Sequence, residues 1–345
     1  MYQYSSLFQH FSISDLQKKM QTANSIIITS HKSPDGDAVG SSLGLWNCLH
    51  QAGIKAKVVL PDAFPKNLQW MNGADEVIFF DSKKEEASEL IQNADILFSL
   101  DYNDFSRVGN EMGELMRSSK SYKIMIDHHP DPTSETDVLI SSTAECATAQ
   151  MIFQFIVAMG WKSFLNTKAA ECIYCGIMTD SGSFRFSSTT PKTHAIVAEL
   201  LSAGLSHVYV HSQVFDNDSE SRLKLLGFTL SEKMKVLHEH KTTYFILSKN
   251  ELQRFNYRAG DTEGFVNYGL AVEGIQMAAI IIEREDQIKF SFRSKGTVPV
   301  NLFSKSFFNG GGHTNAAGGS LKCNLADAES LFLQKLPEFI KQHAK

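Results

Sequence analysis

Ile26-Ile-Ile-Thr-Ser30-His31-Lys-Ser-Pro34-Asp35-Gly36-Asp37-Ala-Val-Gly40-Ser41 runs from a short apolar stretch through a polar turn into a helix-like segment. The apolar part, 26–29, lacks polar alternation, as expected of a strand buried on both faces. The same succession recurs downstream. Residues 58–60, 77–80, 96–100 and 124–126 read as further buried strands, with helices expected over 40–52 and 84–92. Strand–helix alternation implies an α/β fold with a doubly wound, mainly parallel sheet. In such sheets ligands sit beyond the carboxyl ends of the strands, where the turn at 31–37 falls.

Longer helical runs follow at 144–159 and 167–177. Residues 219–240 carry Leu223, Leu226, Leu230 and Met234 at helical spacing and are expected to bridge two lobes. Behind them the texture changes. Strands are expected at 243–247, 277–283 and 287–293, and helices at 301–307 and 325–341. The expected organisation is an α/β domain over 1–215, a helical linker over 216–240 and a smaller α+β domain over 241–345.

A chain of 345 residues exceeds one average domain, in keeping with that division. With 43% hydrophobic and 21% charged residues the composition is that of a globular protein and excludes a disordered one. No stretch approaches the roughly 18 uninterrupted apolar residues of a membrane span. Residues 1–14 lack the basic start and apolar run of a secretory signal. A formal charge of −5 argues against binding long duplex DNA, whose affinity rests on phosphate neutralisation. A local phosphate site needs only a few donors. Five cysteines, an odd number, do not resemble a secreted disulfide framework, so a cytoplasmic protein is expected. Cys172 and Cys175 form a C-x-x-C pair without a second pair, inside an apolar helix-like run. They read as small buried hydrophobes and not as zinc ligands.

Four polar clusters fall on one rim of the expected sheet. Pro34 and Gly36 shape a turn that aims His31, Asp35 and Asp37 into one volume. An imidazole beside two carboxylates suits a divalent cation of the Mn²⁺ or Mg²⁺ kind. The plain alternative is a turn with Asp37 as a helix N-cap. Asp101 directly follows the strand at 96–100. Asp127-His128-His129-Pro130 follows the strand at 124–126, and adjacent histidines on extended backbone point apart, so their roles differ. Asp180 lies at the end of a buried helix, before Phe184-Arg185-Phe186. There Arg185 is either a phosphate contact or a sheet-surface charge. Asp35, Asp37, Asp101 and Asp180 carry four negative charges, which two divalent cations would balance and which would otherwise repel one another.

The second domain holds Gly310-Gly311-Gly312-His313, with Gly318-Gly319 shortly after. Successive glycines allow close ligand approach, and their amides are expected to form an anion-binding nest leading into a helix N-terminus. A simple turn is the alternative. Upstream, Arg293 and Ser294 end a strand, and Arg offers a fork that matches phosphate. A substrate-phosphate clamp built from Arg293, Ser294, Gly310, Gly311, Gly312 and His313 is expected.

Taken in order, His31-x-x-x-Asp35-x-Asp37, Asp101, Asp127-His128-His129, Asp180 and Gly-Gly-Gly-His resemble the DHH phosphoesterase superfamily. The terminal motif resembles the subgroup with the DHH-associated C-terminal domain, and the compact length its nanoRNase / pAp-phosphatase (NrnA-like) branch. The match runs from about residue 25 to residue 319. The resemblance implies that His31 and Asp35 bind one metal, that Asp37, His128 and Asp180 bind a second, and that Asp101 bridges both. It implies two divalent cations, Mn²⁺ first and Mg²⁺ as the alternative. His129 would face the scissile phosphate, with Asp127 orienting it. Arg107 would be structural, and Arg293 and His313 would grip the far phosphate or nucleotide. One departure is visible: Asn309 stands where the loop often has a fourth glycine. Asn tolerates left-handed backbone, so the effect is expected on substrate grip and not on the metals.

The implied activity is hydrolysis of short oligoribonucleotides and nucleotide 3′,5′-bisphosphates, with no membrane and no long duplex DNA as partner and a homodimer left open. The same motifs would serve a cyclic or linear dinucleotide phosphodiesterase. A non-catalytic nucleotide-binding module is the reading from another class. A degenerate member would have lost ligands, and here each one is present. Metal-dependent inorganic pyrophosphatases share the first motifs but lack the Gly-Gly-Gly-His loop.

Overall fold

The computed structural model describes residues 7, 8 and 10–343; residues 1–6 and Gln9 of the stretch read for a secretory signal lie outside them. The chain divides into two compact units, Met1–Asn217 and Asp218–Lys345.

The first unit carries strands β1 (Ile26–Ser30), β2 (Ala56–Leu60), β3 (Ile78–Phe79), β4 (Ile96–Leu100), β5 (Tyr122–Asp127) and β6 (Val138–Ser141). They form a parallel sheet in the order β3-β2-β1-β4-β5-β6. Its helices are α1 (Ile13–Thr22), α2 (Gly36–Gln51), α3 (Lys84–Gln92), α4 (Asn110–Ser118), α5 (Thr148–Ala158), α6 (Thr167–Asp180), α7 (Pro191–Ser202) and α8 (His207–Phe215). β1 and β4 are buried along their whole length because both faces are covered. Ile26, Ile28, Phe98 and Leu100 pack with residues of α2, α5 and α6, whereas Ile27, Leu97 and Met125 pack with residues of α3 and α4. The strand order reverses between β1 and β4, so the loops that follow them open onto the crevice where doubly wound folds bind ligands.

Close helix packing completes this end of the sheet. A Cβ added at Gly40 of α2 would lie 2.5 Å from the Cys172 carbonyl of α6, and one at Gly176 would lie 2.9 Å from Asp37 Oδ1. Only glycine permits that approach, which sets the start of α2 beside the end of α6 and brings Asp37 near Asp180. Cys172 and Cys175 are buried in α6, as read from the sequence.

Three departures are local. α2 begins at Gly36, earlier than expected, because Asp35 caps it. α5 begins only at Thr148, since residues 142–147 form a loop. β6 at the sheet edge was not foreseen, although Val138-Leu139-Ile140 is as long an apolar run as 58–60; its burial alternates.

The second unit has β7 (Lys235–Leu237), β8 (Thr242–Leu247), β9 (Met277–Glu283), β10 (Ile288–Ser294), β11 (Gly311–His313) and β12 (Ala316–Leu321) in the order β11-β12-β10-β9-β8-β7. The β8–β9 pair is parallel and the other pairs antiparallel. Helices α9 (Glu220–Glu232), α10 (Lys249–Arg254), α11 (Phe265–Gly269), α12 (Val300–Phe307) and α13 (Leu325–His343) complete it. Leu225 and Phe265 pack with Phe245, Ala278 and Ile280 in one core, and Phe303 and Phe332 pack with Phe290 and Phe292 in another.

The helix expected over 219–240 therefore stops at Glu232, and Lys235–Leu237 pairs with β8 as a strand. Met234 still packs on the same core as Leu226 and Leu230, so the apolar spacing carries across the break and conceals it. The glycine loop also differs from expectation. It does not lead into a helix N-terminus but leaves α12 and turns into the β11–β12 hairpin. A Cβ at Gly310 would lie 1.9 Å from the Gly318 carbonyl, so backbone crowding within the hairpin demands glycine there. Among the described residues no helix is long and apolar enough to cross a membrane.

Candidate metal centre

His31 leaves β1 with its ring Nδ1 against the Lys32 carbonyl at 2.9 Å. This turns Nε2 inward, 3.4 Å from Asp101 Oδ2 and 3.9 Å from Asp35 Oδ1. Asp35, and not Asp37, is the N-cap: its Oδ1 accepts the amides of Asp37 and Ala38 at 3.0 and 3.1 Å. Asp37 instead crosses to α5, whose own N-cap position is Ala147 and supplies no side-chain acceptor. The Thr148 and Ala149 amides donate to Asp37 at 2.6 and 2.8 Å, which satisfies two orphan donors of that helix.

Asp101 follows β4 with φ at +65°, a left-handed conformation that Asp tolerates better than most residues. The Thr148 hydroxyl donates to its Oδ1 at 3.0 Å. His128 holds its Nδ1 on the Glu145 carbonyl at 3.2 Å. Its Nε2 lies 3.5 Å from Asp101 Oδ1, 3.5 Å from Asp180 Oδ2 and 3.8 Å from Asp37 Oδ2. His129 behaves differently, as adjacent residues on extended backbone should. Its Nδ1 lies 2.8 Å from Asp127 Oδ1 and its amide donates to Asp127 Oδ2 at 3.1 Å. Buried Asp127 thus aims the His129 ring.

Two overlapping sets of candidate ligands result. His31, Asp35 and Asp101 form one; Asp37, Asp101 and His128 form the other, with Asp180 beside His128. Asp101 turns Oδ2 toward the first set and Oδ1 toward the second. A further grouping, Asp101 with Asp127 and His129, is also close enough to ligate, but both Asp127 oxygens are already engaged by His129. Mixed imidazole and carboxylate donors fit divalent cations of the Mn²⁺ or Mg²⁺ type. Both inward-facing histidines rest Nδ1 on a backbone carbonyl, the means by which proteins fix a metal-binding ring.

The electrostatics fit a place for cations. Burial, then the charges of Asp101 and Asp180, push the Asp37 carboxyl well above the usual range. Burial also raises Asp180 to about 7, with Asp35 and Asp101 adding to it and His128 opposing. Asp101 goes the other way. Burial would raise it, but hydrogen bonds with His128 and His31 hold it well below the ordinary carboxylate value. Burial would lower His31, yet Asp101 and Asp35 bring it up to about 9, and Asp101 and Asp180 likewise outweigh burial at His128.

Cation uptake must displace these protons. His31, titrating at about 9, and Asp180, at about 7, both hold protons on the acid side of those values. Both protons are displaced below pH 7 and only that of His31 between 7 and 9, so Mn²⁺ affinity should rise from pH 6 to 9 by about tenfold per pH unit for each proton displaced, less steeply above 7. Calorimetric titration in buffers of different ionisation enthalpy measures both the affinity and the released protons. Affinity that is flat across the window would contradict the assignment.

In the second unit, antiparallel register sets Arg293 opposite Ala316, and Ala316 opposite His313. Directly opposed residues share a face, so Arg293 and His313 flank Ala316 on one face, two strands apart. Gly311 and Gly318 lie on the same face, and a Cβ at Gly311 would meet nothing within 4 Å. Small residues, Ala316 between the two side chains and Gly311 and Gly318 beside them, line that face. Ser294 is otherwise employed: its hydroxyl donates to the Val298 carbonyl at 2.6 Å and accepts from Asn315 Nδ2 at 2.8 Å. Gly312, at φ +135°, crowds Ala316, so Gly310 and Gly312 serve the hairpin itself. Arg185 sits in the turn after α6, donating Nε to the Gly182 carbonyl at 2.8 Å, and is not on a sheet. The Arg107 carbonyl accepts the Lys32 amide at 2.9 Å, a contact that ties down the first ligand loop.

Two family models match the chain: the DHH family, N-terminal domain, over residues 25–177, and the DHHA1 domain over 241–342. Over 336 residues the chain is 30% identical to the bifunctional oligoribonuclease and PAP phosphatase NrnA of Bacillus subtilis, covering 95% of this chain and 99% of that protein. The protein of the same name from Thermus thermophilus is 30% identical over 306 residues, covering 86% of this chain and 84% of its own. The crystal structure of an exopolyphosphatase-related protein from Bacteroides fragilis aligns with a TM-score of 0.92 at 38% identity, covering 96% of each chain. With the ligand motifs in order and both domains matched, the chain belongs to the DHH superfamily of phosphoesterases, in its NrnA-like, DHHA1-bearing branch.

Proposed function

We propose that the protein is a phosphoesterase of the cytoplasm that uses two divalent cations, Mn²⁺ ahead of Mg²⁺, to hydrolyse short oligoribonucleotides and nucleotide 3′,5′-bisphosphates. The observation that carries this reading is Asp101, a single carboxylate with one oxygen toward each of two ligand sets. When bound, a cation pair lowers the pKa of water and neutralises charge on the attacking and leaving oxygens. The protein's own part is orientation. The Lys32 and Glu145 carbonyls turn His31 and His128 inward, and the amides of α5 fix Asp37. His129, aimed by Asp127 through Nδ1, would meet the phosphate or handle the proton that the leaving oxygen needs.

Arg293 and His313, flanking a floor of small residues, suit the far phosphate or base of a short substrate. Relatives that are oligoribonucleases and PAP phosphatases support that substrate class. So does a net charge of −5, because a short substrate needs only a few phosphate contacts.

The test is a hydrolysis panel in Mn²⁺ and in Mg²⁺ with dinucleotides, adenosine 3′,5′-bisphosphate, a cyclic dinucleotide, pyrophosphate and long RNA. Dinucleotides and the bisphosphate should turn over best. Preference for pyrophosphate, or no phosphoester turnover, would contradict the proposal.

The clamp has its own prediction. Arg293→Ala and His313→Ala each remove a charge-assisted contact of roughly 1.5–3 kcal/mol, so kcat/KM on a dinucleotide should fall about ten- to a hundredfold. A small generic phosphodiester without a second nucleotide should be hydrolysed nearly as well as by wild type. Equal losses on both substrates would remove the clamp from the account.

A further inference from the structure

Three ligands are touched by one short segment, residues 145–149. The Glu145 carbonyl holds His128 Nδ1 at 3.2 Å, the Thr148 and Ala149 amides hold Asp37 at 2.6 and 2.8 Å, and the Thr148 hydroxyl holds Asp101 Oδ1 at 3.0 Å. The first part of this segment is a loop with no strand or helix of its own to stiffen it. What fixes it is the Glu145 side chain, from a residue only 3% exposed. Its carboxylate forms an ion pair with Lys192 of α7 and accepts from the amides of Gln150 and Gln154 of α5, the latter at 2.8 Å. α7 is itself anchored by a capping box at Thr190, and Thr193 approaches Cys146 Sγ at 3.7 Å. Two members of the first set are held by other means: His31 by the Lys32 carbonyl and Asp35 by the start of α2. Of the shared Asp101 the segment touches Oδ1, the oxygen turned toward the second set, so the joint bears on that side of the centre.

We propose that Glu145 and Lys192 are positioning residues for the second cation, the one facing His128, Asp37 and Asp180, and that they set its affinity separately from that of the first. This rests on the two-cation reading above. Lys192 touches no ligand. It acts through the Glu145 carboxylate, which locks the backbone that orients His128 and Asp37.

The test is calorimetric titration of the full chain with Mn²⁺ alone, with thermal midpoints measured alongside. Lys192→Met should weaken one of two binding steps about ten- to a hundredfold, the usual cost of losing support behind a metal ligand. The weakened step should be the one that Asp180→Asn weakens and His31→Gln spares. Lys192→Arg, which keeps the ion pair, should restore it. Lys192→Met leaves a buried carboxylate without its cation and can unfold the chain. The neutral pair Glu145→Gln with Lys192→Met removes both charges, keeps the shape and should show the same selective loss. Equal weakening of both steps in the folded neutral pair, or none, overturns the proposal. A wild-type chain that takes up a single ion overturns the two-cation reading itself, and is distinguished by needing no variant.

Discussion

Asp101→Asn should lower kcat at least about a thousandfold and strip the centre of its cations, because the variant keeps the shape of the residue and removes its charge. Asn occupies the same volume and tolerates the left-handed backbone found at Asp101. Its amide oxygen can still accept from the Thr148 hydroxyl, which lies 3.0 Å from Oδ1. The fold is therefore expected to survive, and any loss belongs to the centre. Without the carboxylate, neither ligand set has its shared member, and His31 and His128 lose the partner that outweighs their burial. A thousandfold corresponds to about 4 kcal/mol, a modest fraction of what a cation pair supplies to a phosphoryl transition state. Metal analysis and steady-state rates on a dinucleotide check both halves. Activity above about a tenth of wild type would contradict a bridging role.

His129→Ala separates chemistry from metal binding. His129 is bonded to Asp127 through its ring and its amide, so its loss should leave both ligand sets in place. A positioned proton donor or acceptor is worth about 10²- to 10⁴-fold, and kcat should fall by that amount with the cation content unchanged. Truncation also leaves Oδ1 of the buried Asp127 unpartnered, at a cost in stability of about 1–3 kcal/mol. Measuring the thermal midpoint with the rate keeps the two effects apart. Loss of an ion would mean that the roles of His128 and His129 are exchanged.

Much of this was legible in the residues. Continuous apolar runs located β1, β4 and β5, and the sheet gathers the polar residues that directly follow each run. The β11–β12 hairpin was hidden because its strands are rich in glycine and alanine and carry no apolar run. The support of the centre left the least trace. Glu145 orients His128 through a carbonyl, and Ala149 holds Asp37 through an amide. Any residue owns those groups, so identity says nothing of them. Thr148 was missed for a related reason: its hydroxyl acquires meaning only when the start of α5 is set beside Asp101, after β4. Between the two acidic residues of the first turn, the cap fell to Asp35, which released Asp37 to reach the neighbouring helix.

In the proposed centre one carboxylate joins two cations. Low-temperature electron paramagnetic resonance of the wild-type chain during Mn²⁺ titration tests it directly. Two Mn²⁺ per chain are expected at saturation, with the exchange-coupled spectrum of ions that share a carboxylate, and loss of that coupling in Asp101→Asn. One Mn²⁺ per chain, or two ions with uncoupled spectra, would contradict it.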